Sequence, residues 1–156
     1  QKLADADPTN ATAQRALSLS HEKIGNMLAK SGDTKGALES YRDLLAIAQK
    51  RADADPANAN AQRDLLASFS KLGTVFERMG TTDAEPTARR IEHWREARAW
   101  YVRVAEQFER MKQRNILSPE DAKLEEEVHA NPTSCDEAIA EIERIAATQS
   151  STQPLR

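Results

Sequence analysis

The segment Ala4-Asp5-Ala6-Asp7-Pro8 returns as Ala52-Asp53-Ala54-Asp55-Pro56, and from there the chain goes on copying itself at an offset of 48 residues. Asn10 falls on Asn58, Ala13-Gln14-Arg15 on Ala61-Gln62-Arg63, and Leu17 on Leu65. Ser20 falls on Ser68, Lys23 on Lys71, Gly25 on Gly73 and Gly32 on Gly80. Between residues 4–32 and 52–80, 15 of 29 positions are identical, and several others keep their character, such as Ile24 with Leu72 and Met27 with Val75. A repeat of this length constrains the fold more than any other feature, because each unit must be a supersecondary piece that completes its core against its neighbours.

Each unit reads as two helices. Asp7-Pro8 and Asp55-Pro56 mark the start of the first helix of a unit, since proline fits a first helical turn but not an interior. Leu17, Ile24 and Leu28, like Leu65, Leu72 and Phe76, recur at helical spacing and predict one buried apolar stripe per unit. Gly32 and Gly80 are expected to end these helices by taking positive φ. Asp33 then caps a second helix carrying Ala37, Leu38, Tyr41, Leu44, Leu45, Ile47 and Ala48. In the second unit the matching pattern resumes only at Trp94, Ala97, Trp100, Tyr101, Val104, Ala105 and Phe108. Tyr101 follows Tyr41 by 60 residues, so 12 residues are inserted around Thr81–Arg90, lengthening the loop or the second helix. Gly25 and Gly73 lie inside helices at a cost of about 1 kcal/mol relative to alanine. Close approach of the partner helix explains them, with Ala37 and Ala97 as the expected small-residue partners.

Ser118-Pro119-Glu120-Asp121 has the N-cap serine, first-turn proline and acidic residues of a helix start, for a short acidic helix reaching about His129. Asn131-Pro132-Thr133 breaks it. A final helix follows, with Ala138, Ile139, Ile142, Ile145 and Ala146 on one face, as a cap over an otherwise wet repeat end. Ser150–Arg156 reads as a disordered tail. The expected organisation is repeats over 1–114, with units of about 7–54 and 55–114 and residues 1–6 ending a preceding repeat helix. Capping helices span 115–149. The opening Gln1-Lys2-Leu3, without methionine, reads as the inside of a helix in a longer protein.

Composition narrows the chemistry. A net charge of −3 argues against general nucleic-acid affinity, which needs a surplus of Lys and Arg. No apolar run approaches the roughly 20 residues of a membrane span, and no leader pattern precedes the repeats. The single Cys135 excludes an internal disulfide and a CxxC site and fits a reducing, cytoplasmic setting. Placed at a helix N-terminus, it is expected to have a somewhat lowered pKa, though a structural role outweighs a nucleophilic one. His21, His93 and His129 show no metal-ligand spacing, Glu125-Glu126-Glu127 reads as a solvated charge run, and no phosphate loop or kinase signature occurs. No cofactor, metal or catalytic residue is expected, and the fragment reads as non-enzymatic.

The step from Gly25 to Ala37 followed by Tyr41, with bulk at Ile24, Leu72, Leu28 and Phe76, resembles the tetratricopeptide repeat over roughly residues 1–110. The unit is longer than that family's usual one, and His21 and Phe69 stand where its early tryptophan would be. A weaker resemblance joins His93-Trp94-Arg95-Glu96-Ala97, Trp100-Tyr101, Met111-Lys112-Gln113-Arg114-Asn115 and Cys135-Asp136-Glu137-Ala138-Ile139 to repeat regions that follow the kinase domain in some bacterial serine/threonine kinases. The resemblance implies an all-α, right-handed solenoid of antiparallel hairpins that binds a protein or peptide partner. In that pattern the concave groove is lined by Leu19, Glu22, Asn26 and Lys30 and by Ala67, Ser70, Thr74 and Arg78. Glu22 and Ser70 replace the lysines of the family's carboxylate clamp, so recognition of chaperone tails is not expected. Arg89, Arg90 and Arg95 offer a secondary contact site. The alternative is weak homo-oligomerisation through the N-terminal edge and the Trp94/Trp100 region.

Overall fold

The computed structural model describes residues 11–82, 84–128 and 130–151, and these are all-helical, with no strand. We label the helices α1 (Ala11–Ser31), α2 (Thr34–Ala54), α3 (Ala59–Gly80), α4 (Thr87–Gln113), α5 (Pro119–Val128) and α6 (Asn131–Ser151). Packing is serial: α1 lies on α2, α2 on α3, α3 on α4 and α4 on α6, while α5 touches α4 more lightly. No helix among the described residues is long and apolar enough to cross a membrane.

The first hairpin turns in two residues. Gly32 takes φ 88°, which a side chain would strain, and the Asp33 carboxylate accepts the Gly36 amide at 2.9 Å to start α2. The second unit begins differently from the sequence reading. Pro56 lies in the turn before α3 rather than in its first helical turn. Asn58 is the cap, its Oδ1 accepting from Ala61 N at 3.1 Å, while Asp55 Oδ1 holds the turn through Ala57 N. Pro8 and the expected helix end at residues 1–6 lie outside the described residues. Pro132 likewise sits in the first turn of α6, where proline costs nothing, so the break falls just before it.

Gly80 does not act as a positive-φ terminator, because Thr81 caps α3 in ordinary right-handed geometry. Its role is contact: a Cβ there would stand 2.6 Å from Trp94 Cδ1. The internal glycines also pack against partners other than those expected. A Cβ on Gly25 would lie 2.5 Å from Tyr41 Cε1, and one on Gly73 2.7 Å from Tyr101 Cε1, so each hairpin seats a tyrosine ring, not an alanine, on its glycine. The inserted residues do both things foreseen for them. They lengthen the loop, and they start α4 at Thr87, two helical turns ahead of Trp94, the position that matches Thr34.

Three adjoining clusters form the core. Leu72 and Val75 meet Ala37, Tyr41 and Leu44, while Leu65, Leu66 and Phe69 meet Val104, Phe108 and Met111. Cys135 and Ile142 of α6 cover Trp94, Ala97 and Tyr101. Trp94 is therefore buried and Trp100 half-buried. Two residues counted on apolar faces are instead substantially exposed: Ile24 at 48 % and Ile145 at 42 %. Among the described residues α1 packs along its length only on α2, which leaves Ile24 wet, whereas its counterpart Leu72 lies between α2 and α4. The backbone of Ser150 and Ser151 continues α6, and the remainder of the expected tail lies outside the described residues.

A buried polar relay ties the second hairpin to the first. The Gln62 amide donates to the Ala52 carbonyl at 3.0 Å, and Gln107 donates to Gln62 Oε1 at 2.6 Å. The Ala52 carbonyl needs an outside donor because the residue four places on is Pro56, which has no N–H.

Candidate functional site

Helices α1 and α3 share a register, so matched residues run along the same side of both. The eight residues expected in the groove do not form one continuous lining. Leu19, Glu22 and Ala67 border a cleft of about 270 Å3 between α1 and α3, together with Arg15, Asp64 and Lys71 over a floor of Leu44. Ala67, Ser70 and Thr74 border a second cleft of about 440 Å3, closed on its far side by Tyr101, Asp121, Leu124, Val128 and Asn131. Ala67 and Lys71 belong to both and form the ridge between them. Lys30 and Arg78 are exposed but line neither cleft, and Arg78 donates to the Ala29 carbonyl, tying α3 to the end of α1.

Lys71 was not among the expected residues, yet it organises the site. Its Nζ lies 3.1 Å from Glu22 Oε1 and donates to Asn26 Oδ1 at 3.1 Å, and it stands 5.5 Å above the centre of the Tyr41 ring. Tyr41 Oη donates to the same Asn26 oxygen at 2.8 Å. Burial, with the Glu22 charge adding to it, pushes the Tyr41 phenol up, so it stays a proton donor. Glu22 and Asn26 are thus tied to Lys71 and hold the two hairpins at a fixed spacing. The available signal was helical: Lys71 follows Ala67 by one turn, on the same side of α3.

The second cleft is walled by the C-terminal segment. Ser118 and Asp121 cap α5 reciprocally, with Asp121 N donating to Ser118 Oγ at 3.1 Å and Ser118 N to Asp121 Oδ2 at 2.8 Å. Arg63 Nε lies 2.9 Å from each Asp121 oxygen, and the hydrogen bond from Arg63 holds that carboxyl below its usual 3.8. At the bottom, Thr74 Oγ1 donates to the Ser70 carbonyl, and Tyr101 Oη donates to Glu77 at 2.6 Å. Asp64 pairs with Arg51. The charges around the ridge are largely satisfied within the protein. What the surface offers a ligand is apolar: half-exposed Leu19, Ala67 and the 43 % exposed Leu124.

The other polar residues singled out in the sequence take structural places. Burial pushes the Cys135 thiol up to about 11, with the Glu77 and Asp136 charges adding to it. Desolvation overrides the lowering expected from its position near a helix start. Glu125 is not solvated: it is buried against α4 and accepts from Lys112 Nζ at 2.7 Å. Arg90 Nε donates to the Gly80 carbonyl, while Arg89, 3.6 Å from Glu85, and Arg95, 4.0 Å from Glu143, stay mostly exposed. His21 Nδ1 stands 3.6 Å from Asp43, and His129 lies outside the described residues. Among the described residues no three His, Cys, Asp or Glu side chains come together to hold a metal ion. No family model, no curated protein and no solved structure matches the chain.

Proposed function

We infer that the chain is a protein-interaction module of tetratricopeptide type, its hairpins forming a short right-handed solenoid that holds a partner's peptide segment along α1 and α3. The observation that carries this reading is the pair of adjoining clefts meeting at Ala67 and Lys71. Internal ion pairs and hydrogen bonds fix their walls, and apolar ledges at Leu19 and Leu124 lie at either side. Such a surface suits an extended segment with an apolar side chain seated in each cleft and its backbone crossing the ridge, with little ordering cost to the protein. The wider setting we propose is the non-catalytic, cytoplasmic, C-terminal part of a signalling protein such as a bacterial serine/threonine kinase, on the resemblance of the second hairpin and α6.

A photo-crosslinking residue at Ala67 tests the groove. It should trap a partner from the native cytosol, and Lys71→Glu, which breaks the ridge, should abolish that adduct but leave the helical spectrum intact. A photo-crosslinker at Arg42, on α2, should trap nothing in common with it. Adducts that are equal at both positions, or that survive Lys71→Glu, refute groove binding. Self-association is the second reading, favoured by the exposed apolar residues Leu19, Ile24 and Met27 on α1. A monomer by light scattering across a concentration series refutes it.

A further inference from the structure

The repeat places α1 and α3 in the same register, and α3 shows what that register is for. Leu65, Ser68, Leu72 and Val75 are all at most 3 % exposed, with Leu72 and Val75 packed on Ala37, Tyr41 and Leu44 of α2. The matching residues of α1 are Leu17, Ser20, Ile24 and Met27. Leu17 is half-buried and Ser20 exposed, while Ile24 is 48 % and Met27 70 % exposed. The opposite side of α1, with Ser18, His21, Gly25 and Leu28, faces α2 as Leu66, Phe69, Gly73 and Phe76 face α4. The uncovered stripe is therefore the one that α3 gives to the second helix of the preceding unit.

The sequence before α1 identifies what would cover it. Lys2–Pro8 repeats Lys50–Pro56 at every position but one, and in the structure the latter is the end of α2 and its turn. Residues 1–10 lie outside the described structure and enter here as sequence only. Two interactions across the α2–α3 junction have matched counterparts there. The Ala52 carbonyl, denied a helical donor by Pro56, is served by Gln62, and the corresponding residues are Ala4, Pro8 and Gln14. The ion pair of Arg51 with Asp64 corresponds to Leu3 and Ala16, where both members have become apolar together.

We propose that Leu17, Ser20, Ile24 and Met27 form a stacking face for a further hairpin of the same repeat, lying before α1 in the chain and ending in the sequence Lys2–Asp7. At the other end of the repeats α6 covers α4. This inference does not depend on the groove, since the stacking stripe and the two clefts have only the helix α1 in common.

The experiment inserts a copy of residues 11–58 after Asn10, keeping the 48-residue register, and compares this tandem chain with the 156-residue chain. Met27→Cys is introduced next to the inserted copy and labelled with a maleimide. The thiol should react readily in the 156-residue chain and at least tenfold more slowly in the tandem chain. Met27→Glu should leave the urea midpoint of the 156-residue chain unchanged and lower that of the tandem chain, whose unfolding should be a single transition. Equal labelling in both chains, including the case where the inserted hairpin fails to fold, overturns the proposal. So does protection in the 156-residue chain that rises with concentration, which would make a second copy the occupant. Crosslinking at Ala67 reads the groove separately, so failure of one reading leaves the other intact.

Discussion

The relay from Gln107 through Gln62 to the Ala52 carbonyl can be dissected by a double-mutant cycle. Both glutamines are almost completely buried, so a group left without its partner cannot turn to water. Each buried polar group stranded this way costs about 1–3 kcal/mol. Gln107→Leu strands the Gln62 carbonyl alone and should cost about 2 kcal/mol. Gln62→Leu strands the Gln107 amide and also the Ala52 carbonyl, which Pro56 cannot serve, and should cost about 3–4 kcal/mol. In the double variant only the Ala52 carbonyl remains unpaired, so its cost should match that of Gln62→Leu or fall below it, giving a coupling of at least about 2 kcal/mol. With a urea dependence of about 2 kcal/mol per molar, Gln107→Leu alone moves the midpoint down by roughly 1 M. Urea titrations followed by circular dichroism measure all four corners. Strict additivity, or a single-variant cost below about 0.5 kcal/mol, would refute the relay as a structural tie.

Two further outcomes follow from the same packing. Gly73→Ala should destabilise by about 1–3 kcal/mol despite the better helix propensity of alanine, because the new methyl group meets the Tyr101 ring. Thermal melts check this, and Tyr101→Leu in the same chain should recover part of the loss. Cys135 should resist Ellman's reagent in the native protein and react in urea. Its folded pKa is raised to about 11 from the usual 9.0. Stability from the buried neutral thiol is therefore complete below pH 9 and falls as the pH rises towards 11, because only the unfolded chain ionises freely across that window. Cys135→Ala should remove that part of the alkaline decline, and an unchanged pH profile would count against the assignment.

Much of the helical plan was written in short-range chemistry, and the failures share one cause. Asp33, Ser118-Pro119 and Gly32 declared their turns because capping and positive φ involve residues a few places apart. Tyr41 and Tyr101 were visible as matched positions, but that each rests on a glycine rather than beside an alanine depends on how two helices are rotated against each other. The same holds for Lys71: its spacing placed it on the groove side, while its hold on Glu22 and Asn26 exists only once α1 and α3 are side by side. Ile24 and Leu72 are indistinguishable by periodicity, and their exposures differ because, among the described residues, α3 is packed on two sides and α1 on one. Cys135 shows a contest of magnitudes, where loss of water outweighs the favourable field of a helix start.

The serial packing of the helices also governs how the molecule comes together and apart. From α1 to α4 each helix packs on the one beside it in the chain, and α6 reaches back only past the short α5 to α4, so closing a contact seldom requires a long excursion of the backbone. Chains of such low contact order assemble quickly and can begin at more than one place. They also loosen from their ends: α1, packed along its length only on α2 among the described residues and joined to α3 by polar contacts from Lys71 and Arg78, should open before α3, and its amides should exchange with solvent before those of α3, which is packed on both sides. The groove spans this gradient, with one wall on the helix that opens first and the other on the best-protected helix. A ligand bridging the two walls would therefore slow exchange in α1 far more than in α3, leaving a signature of occupancy in the protein's own protection pattern.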